Sequence, residues 1–211
     1  MPPLPPRNGR FITIEGPEGA GKTLQAQRLV AGLEALGAAV RLTREPGGTA
    51  LGDRLRDILL ARDGSRIAPR ADALLFNAAR AQLVAEVIAP ALDAGEIVVC
   101  ARYADSTLAY QGFGAGVSLD DLRLLADVAT GGLVPDLTIL LDVDPAVGLA
   151  RKATPDHTRF EAAFDLAFHA RVRAGFLELA AAEPERFRVI DAGRDAEAVF
   201  AAVLDAALEA L

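Results

Sequence analysis

Cysteine is almost absent from this chain. Cys100 stands alone in 211 residues, which excludes an internal disulfide framework and a zinc site built from cysteines. At a strand end it reads as a small buried hydrophobe rather than a reactive thiol. Histidine is nearly as scarce, and His157 and His169 lie too far apart to suggest a metal site; His169 reads as structural. Although 52% of the residues are hydrophobic, no uninterrupted apolar run approaches the ~18 residues that cross a bilayer. Met1 to Arg7 is proline-rich and lacks the apolar stretch of a signal peptide, so residues 1–9 read as a disordered lead-in. The expectation is a cytoplasmic protein with no membrane contact. Excess positive charge is missing too: a net charge of −7 and a pI near 4.9 argue against broad nucleic-acid binding. The asparagines are Asn8 and Asn77, neither followed by lysine, so the guanine-reading Asn-Lys-x-Asp motif of switch GTPases is absent. No internal repeat is visible.

What remains is one α/β pattern, and the length suits a single domain over 10–211. Five short apolar runs, 11–15, 39–43, 97–100, 137–143 and 187–190, alternate with helical patterns. Near-continuous apolar runs are how strands buried on both faces of a parallel sheet read. The expected fold is a five-stranded parallel sheet flanked by helices, closed by an amphipathic helix through Val199, Val203, Leu204 and Leu208. In such sheets ligands bind beyond the carboxyl ends of the strands.

Every unusual motif sits there. After the first strand, Gly16-Pro17-Glu18-Gly19-Ala20-Gly21-Lys22-Thr23 reads G-x-x-x-x-G-K-T. Glycines at this spacing let backbone N–H groups turn inward around phosphate oxygens, and the next helix adds its positive end. Lys22 then reaches the β/γ-phosphates and the Thr23 hydroxyl can hold Mg²⁺. Leu24, Leu29, Val30 and Leu33 continue at helical spacing, as the motif requires. After the second strand comes Arg44-Glu45-Pro46-Gly47-Gly48-Thr49, whose Pro and Gly residues break any helix before Leu51. Arg102-Tyr103 and Ser106-Thr107-Leu108-Ala109-Tyr110-Gln111-Gly112 follow the third strand, Asp144-Pro145 starts a helix after the fourth, and Asp191 to Arg194 follows the fifth.

Taken with Leu75-Phe76-Asn77-Ala78-Ala79-Arg80, this set resembles the thymidylate kinases, a family of P-loop nucleoside monophosphate kinases, over essentially the whole chain. The resemblance implies ATP-dependent conversion of dTMP to dTDP for dTTP synthesis, Mg²⁺ as cofactor, and a homodimer with the helix around 72–92 as a candidate interface. It implies that Gly16, Glu18, Gly19, Ala20, Gly21, Lys22, Thr23 and Leu24 hold ATP, with Arg194 near its adenine. Phe76 would stack on the thymine and Arg80 would bond its O4; four residues apart, they share a helix face. Arg44 and Arg102 would grip the acceptor phosphate beside Pro46, since guanidinium groups suit multi-oxygen anions. Tyr110 would exclude a ribose hydroxyl, Glu18 would lie near the sugar 3′-hydroxyl, and Ser106, Thr107 and Gln111 would line the pocket. Ser106 and Thr107 read equally well as helix caps. A guanylate or adenylate kinase would share the fold but lack Phe76, Arg80 and Tyr110 as a set.

The segment around 150–160 resembles a lid, with Arg151 and Arg159 as candidates to neutralise the transferring phosphoryl group. No arginine lies inside the phosphate loop, which fits the bacterial style that draws its basic groups from the lid. One departure stands out: Ala101 occupies the place of the aspartate in the family's Asp-Arg-Tyr. Glu15, Glu18, Asp142 and Glu161 are alternative acids for the metal, Glu161 and Thr23 being the expected pair. The competing expectation is a nucleotide-binding protein of the same fold that is catalytically disabled.

Overall fold

The structure, a computed structural model, describes residues 8–61, 63, 66–152, 158, 160 and 164–211. Five strands form one sheet: β1 Arg10–Glu15, β2 Val40–Arg44, β3 Ile97–Ala101, β4 Leu137–Asp142 and β5 Phe187–Asp191. Their order is β2-β3-β1-β4-β5 and every pairing is parallel. Each strand lies within one residue of the apolar run that announced it. Continuous burial holds only for the central β3, β1 and β4; β2 and β5, at the edges, expose half or more of their residues.

The helices are α1 Lys22–Ala35, α2 Ala50–Leu60, α3 Pro69–Leu83, α4 Ala89–Asp93, α5 Ala104–Thr107, α6 Leu119–Thr130, α7 Pro145–Arg151, α8 Leu166–Ala182 and α9 Ala196–Ala210. Side chains at their starts accept orphan backbone N–H groups, as capping requires. Thr49 takes Gly52 N, Asp144 takes Ala146 N, Asp165 takes Phe168 N and Asp195 takes Ala198 N. One sheet face, through Ile12, Ile14, Ile139 and Leu141, packs on Leu29 and Leu33 of α1 and Val199 and Val203 of α9. On the other face, Phe11, Val98 and Cys100 meet Leu83, Ile88 and Leu92, while Leu140 meets Val172 and Phe176 of α8.

Two π-helical stretches interrupt this regularity. Val84–Ile88 joins α3 to α4, where Pro90 offers no N–H to continue the α-pattern. Leu108–Gly114 continues α5 and carries Tyr110 and Gln111; such wide turns often mark functional sites. Residues 1–7 of the expected lead-in, His157, Arg159, Glu161 and most of the expected lid lie outside the described residues.

Candidate functional site

The carboxyl ends of β1, β2 and β3 open into a cavity of about 650 Å³. Its floor is the phosphate loop, held in left-handed turns by Gly19 (φ 71°) and Gly21 (φ 88°). Gly19 is also demanded by space: a Cβ there would lie 1.9 Å from the Gly148 carbonyl oxygen, so loop and α7 touch backbone to backbone. Lys22, the first residue of α1, donates to the carbonyls of Gly16 (2.9 Å) and Pro17 (2.6 Å). Burial, then the Arg102 charge, pushes its pKa down to about 7 against the pull of Glu18 and Glu15. Thr23 and Leu24 are exposed on the next positions and line the cavity, as does Gly21. Gly16 and Ala20 are buried and do not line the cavity.

Arg102 adopts φ 72°, the one non-glycine left-handed residue among those described. That turn aims its guanidinium at Glu18 Oε1 (2.5 Å), Ser106 Oγ (3.3 Å) and Tyr110 Oη (3.3 Å), and over the Tyr110 ring. Burial pushes the Glu18 carboxyl up, but Arg102, Lys22 and Lys152 together hold it well below its usual range. Arg44 is exposed at the end of β2, with Asp53 3.8 Å away, and Pro46 follows on the same rim. Phe76 forms the opposite wall and meets the Phe160 ring at 6.3 Å, while Tyr110 meets Phe160 edge-on at 5.5 Å. Gln111 donates to Asp72 Oδ2 at 2.9 Å.

Three expected residues take other places. Arg80 lies behind the Phe76 wall, 1% exposed, with its guanidinium on both Glu45 oxygens, Asn77 Oδ1, Tyr103 O and Thr107 Oγ1. Arg151 lines the cavity but donates to the carbonyls of Ala192 and Gly193, on the turn after β5. Arg194, on that same turn, is exposed and does not line the cavity. The cap alternative for Ser106 and Thr107 falls: both sit inside α5, Ser106 Oγ bonding Glu15 Oε2 and Thr107 accepting from Arg80.

Glu15 lies fully buried below this rim and accepts from the N–H groups of Tyr103 and Ser106. Burial, then Asp105, pushes its pKa up to about 7 against the Ser106 bond. Asp142 is gripped by Arg173 at 2.7 and 2.8 Å. Among the described residues no three acidic, histidine or cysteine side chains gather into a metal cage. An exposed hydroxyl on a phosphate loop nonetheless suits Mg²⁺, which keeps several waters and leans on substrate phosphates. Ala101, 8% exposed, presents only a methyl to the cavity.

The sequence reading missed Arg56 and Phe160, both of which line the cavity, as does Lys152 among the basic residues of the expected lid. Arg56 had a signal: Gly52, Arg56 and Leu59 recur at helical spacing on α2, so Arg56 points inward. It donates to Pro46 O, and burial, then Arg44 and Arg102, holds its pKa below the usual arginine value.

Residues 14–203 match the family model for thymidylate kinase. The chain belongs to the thymidylate kinase family. A thymidylate kinase of Deinococcus radiodurans is 59% identical over 189 residues, covering 88% of this chain and 90% of the relative. One of Solidesulfovibrio magneticus is 53% identical over 201 residues, covering 92% and 96%. The crystal structure of an Ehrlichia chaffeensis thymidylate kinase superposes with a TM-score of 0.77 at 33% identity, covering 93% of this chain and 97% of that one. That superposition supports the five-stranded parallel α/β fold described above.

Proposed function

We propose that this chain transfers the γ-phosphoryl group of ATP to dTMP, giving ADP and dTDP. The observation that carries this is one cavity holding both halves of the reaction: Lys22 and Thr23 at the donor end, Arg44, Arg102, Phe76 and Tyr110 at the acceptor end. Phosphoryl transfer is mostly positioning and charge stabilisation. Lys22 and the loop amides grip the donor phosphates. Arg44 and Arg102 fix the acceptor phosphate, and Arg56 adds a third guanidinium on that side. The P–O bond from the γ-phosphorus to ADP breaks with its electron pair leaving on ADP. A new P–O bond forms to a dTMP phosphate oxygen, already ionised at neutral pH, so no general base is required.

Phe76 stacks on the thymine. Arg80 would meet its O4 through Nη1, by exchanging the bond that this group makes to Asn77 for one to the base. Tyr110 excludes a 2′-hydroxyl and Glu18 meets the 3′-hydroxyl. Thr23 would hold Mg²⁺, which supplies charge neutralisation on the donor phosphates when bound; Glu161 is its proposed acidic partner. Basic residues of the segment 151–159 complete the site in the lid-dependent bacterial style. The functional unit is a single domain over 10–211, acting in the cytoplasm as a homodimer. Exposed Leu74 on α3 and Leu124 and Val128 on α6, two helices packed together, support the dimer.

Ala101 favours a second reading, a nucleotide-binding protein without turnover. Glu18 and Asp142 are committed to basic partners, so neither replaces an acid at that strand end. ADP release with dTMP, ATP and Mg²⁺, measured on this chain beside Ala101→Asp, separates the two. Turnover by this chain supports the kinase reading as it stands. Turnover only in the aspartate variant identifies a kinase site slowed by its alanine, by about 10²–10³-fold for one lost preorganised group. Nucleotide binding without turnover in either supports the second reading.

A further inference from the structure

Arg102, which grips the acceptor phosphate in the kinase reading, leads into α5 through its left-handed turn (φ 72°). Helix starts leave N–H groups without intrahelical partners, and Tyr103, the N-cap residue of α5, makes no side-chain cap. The acceptor arrives from another strand instead. Glu15, the last residue of β1 and fully buried, takes the N–H of Tyr103 at 2.6 Å and that of Ser106 at 3.2 Å, both on Oε1. These are the N-cap and third helical positions, the two N–H groups that a capping box satisfies within one segment. Glu15 Oε2 meets Ser106 Oγ at 2.6 Å, and that hydroxyl also accepts from Arg102 Nη1 at 3.3 Å. With one hydrogen to give, Ser106 donates to the carboxylate and turns a lone pair to the guanidinium. Arg102 N itself donates to Ile14 O at 3.0 Å, so the whole turn is tied to the end of β1.

The rest of this segment has other anchors. Asp105 is held by Arg186 at 2.7 and 3.0 Å, Thr107 accepts from Arg80, and Tyr110 packs among Phe160, Phe168 and Phe176. What depends on Glu15 is therefore the direction of Arg102, and the walls around base and sugar do not. Through its backbone Glu15 continues directly into Gly16, where a Cβ would lie 2.4 Å from the Leu141 carbonyl oxygen, so the start of the phosphate loop is fixed against β4. Resting on the dTMP kinase reading, we infer that Glu15 is a positioning residue that sets Arg102 on the acceptor phosphate, at a fixed offset from the donor loop it precedes. Without Glu15 the guanidinium keeps its charge and loses its place.

The test is calorimetric binding of dTMP and of thymidine, which lacks the phosphate, and it needs no turnover. It is run at about pH 8, above the pKa of about 7 to which burial, then Asp105, pushes Glu15. Glu15→Ala is expected to weaken dTMP about tenfold to a hundredfold, the range for a hydrogen bond to a charged group, and thymidine by less than about threefold. In an Arg102→Met background the same change should cost dTMP less than about threefold, because the group it positions is gone. Glu15→Gln, which keeps an acceptor for both N–H groups, should recover part of the loss. Ser106→Ala, which leaves Glu15 in place, should weaken dTMP and spare thymidine. Equal weakening of dTMP and thymidine by Glu15→Ala overturns the inference, since a loosened fold would do the same, as does an undiminished loss in the Arg102→Met background. Where Glu15→Ala does not fold, Glu15→Gln and Ser106→Ala decide by the same ratio. A dTMP loss of about threefold or more with thymidine spared supports the inference, and an unchanged ratio overturns it. Absence of dTMP-dependent ADP release from the parent chain and from Ala101→Asp would refute the kinase reading separately, leaving the dTMP-to-thymidine ratio to judge Glu15.

Discussion

Replacing Glu45 by alanine should be among the most destabilising single changes available in this protein. Glu45 and Arg80 are 3% and 1% exposed and meet through bonds of 2.7, 2.9 and 3.2 Å. Removing one partner of such a buried pair leaves an uncompensated charge and costs about 3–5 kcal/mol. Against a total stability of about 5–15 kcal/mol, that is a third or more in many proteins. For a chain of this size each kcal/mol is worth about 2–4 °C, so the melting temperature should fall by about 6–20 °C. Urea unfolding followed by circular dichroism gives the free energy directly, with Arg80→Met and the double variant completing a cycle. The double variant should lose clearly less than the sum of the singles, because neither charge is left alone. A Glu45→Ala cost below about 1 kcal/mol, the range of an exposed pair, or simple additivity would refute the buried-pair account. The same change should raise the KM for dTMP, since Glu45 anchors the loop carrying Arg44 and Pro46 to the helix carrying Phe76.

Glu15 makes a pH prediction. The folded protein keeps a proton up to about pH 7 that the unfolded chain releases near 4.5, so this contribution is full below 4.5 and is lost as pH rises to 7. A raise of that size is worth on the order of 3 kcal/mol. Glu15→Gln, which keeps an acceptor for Tyr103 N and Ser106 N, should flatten the pH profile of urea stability between pH 5 and 8; an unchanged slope counts against it. Gly148→Ala should leave the far-ultraviolet spectrum native while raising the KM for ATP about tenfold or more, given a backbone oxygen 2.1 Å from the added carbon and the ~10²-fold sensitivity of rates to 1 Å displacements. A wild-type KM would mean the loop yields without cost. Leu74→Glu with Leu124→Glu should give a folded monomer by light scattering, and an intact dimer would place the interface elsewhere.

Much of this protein was legible in its residue order, for local reasons. The five strands were found to within a residue, the central β3, β1 and β4 because such parallel strands must be apolar on both faces. The phosphate loop was legible because its glycines and Lys22 act through neighbouring backbone, and the family resemblance rested on motifs that follow single strands. Tertiary structure decided what depends on distant partners. Only the tertiary fold could place Glu45, just past β2, on Arg80 of α3 and bury that guanidinium outside the cavity lining. Only the sheet order made β2 and β5 half-exposed edges. Ser106 looks like a cap in sequence, yet it bonds Glu15, 91 residues away. The divergence of Arg151, on the turn after β5, and Lys152, on Glu18, was equally hidden, because a side chain's direction follows from where its helix ends and what lies across the cleft. Sequence spacing determines which groups can share a face; only the fold determines which of them meet.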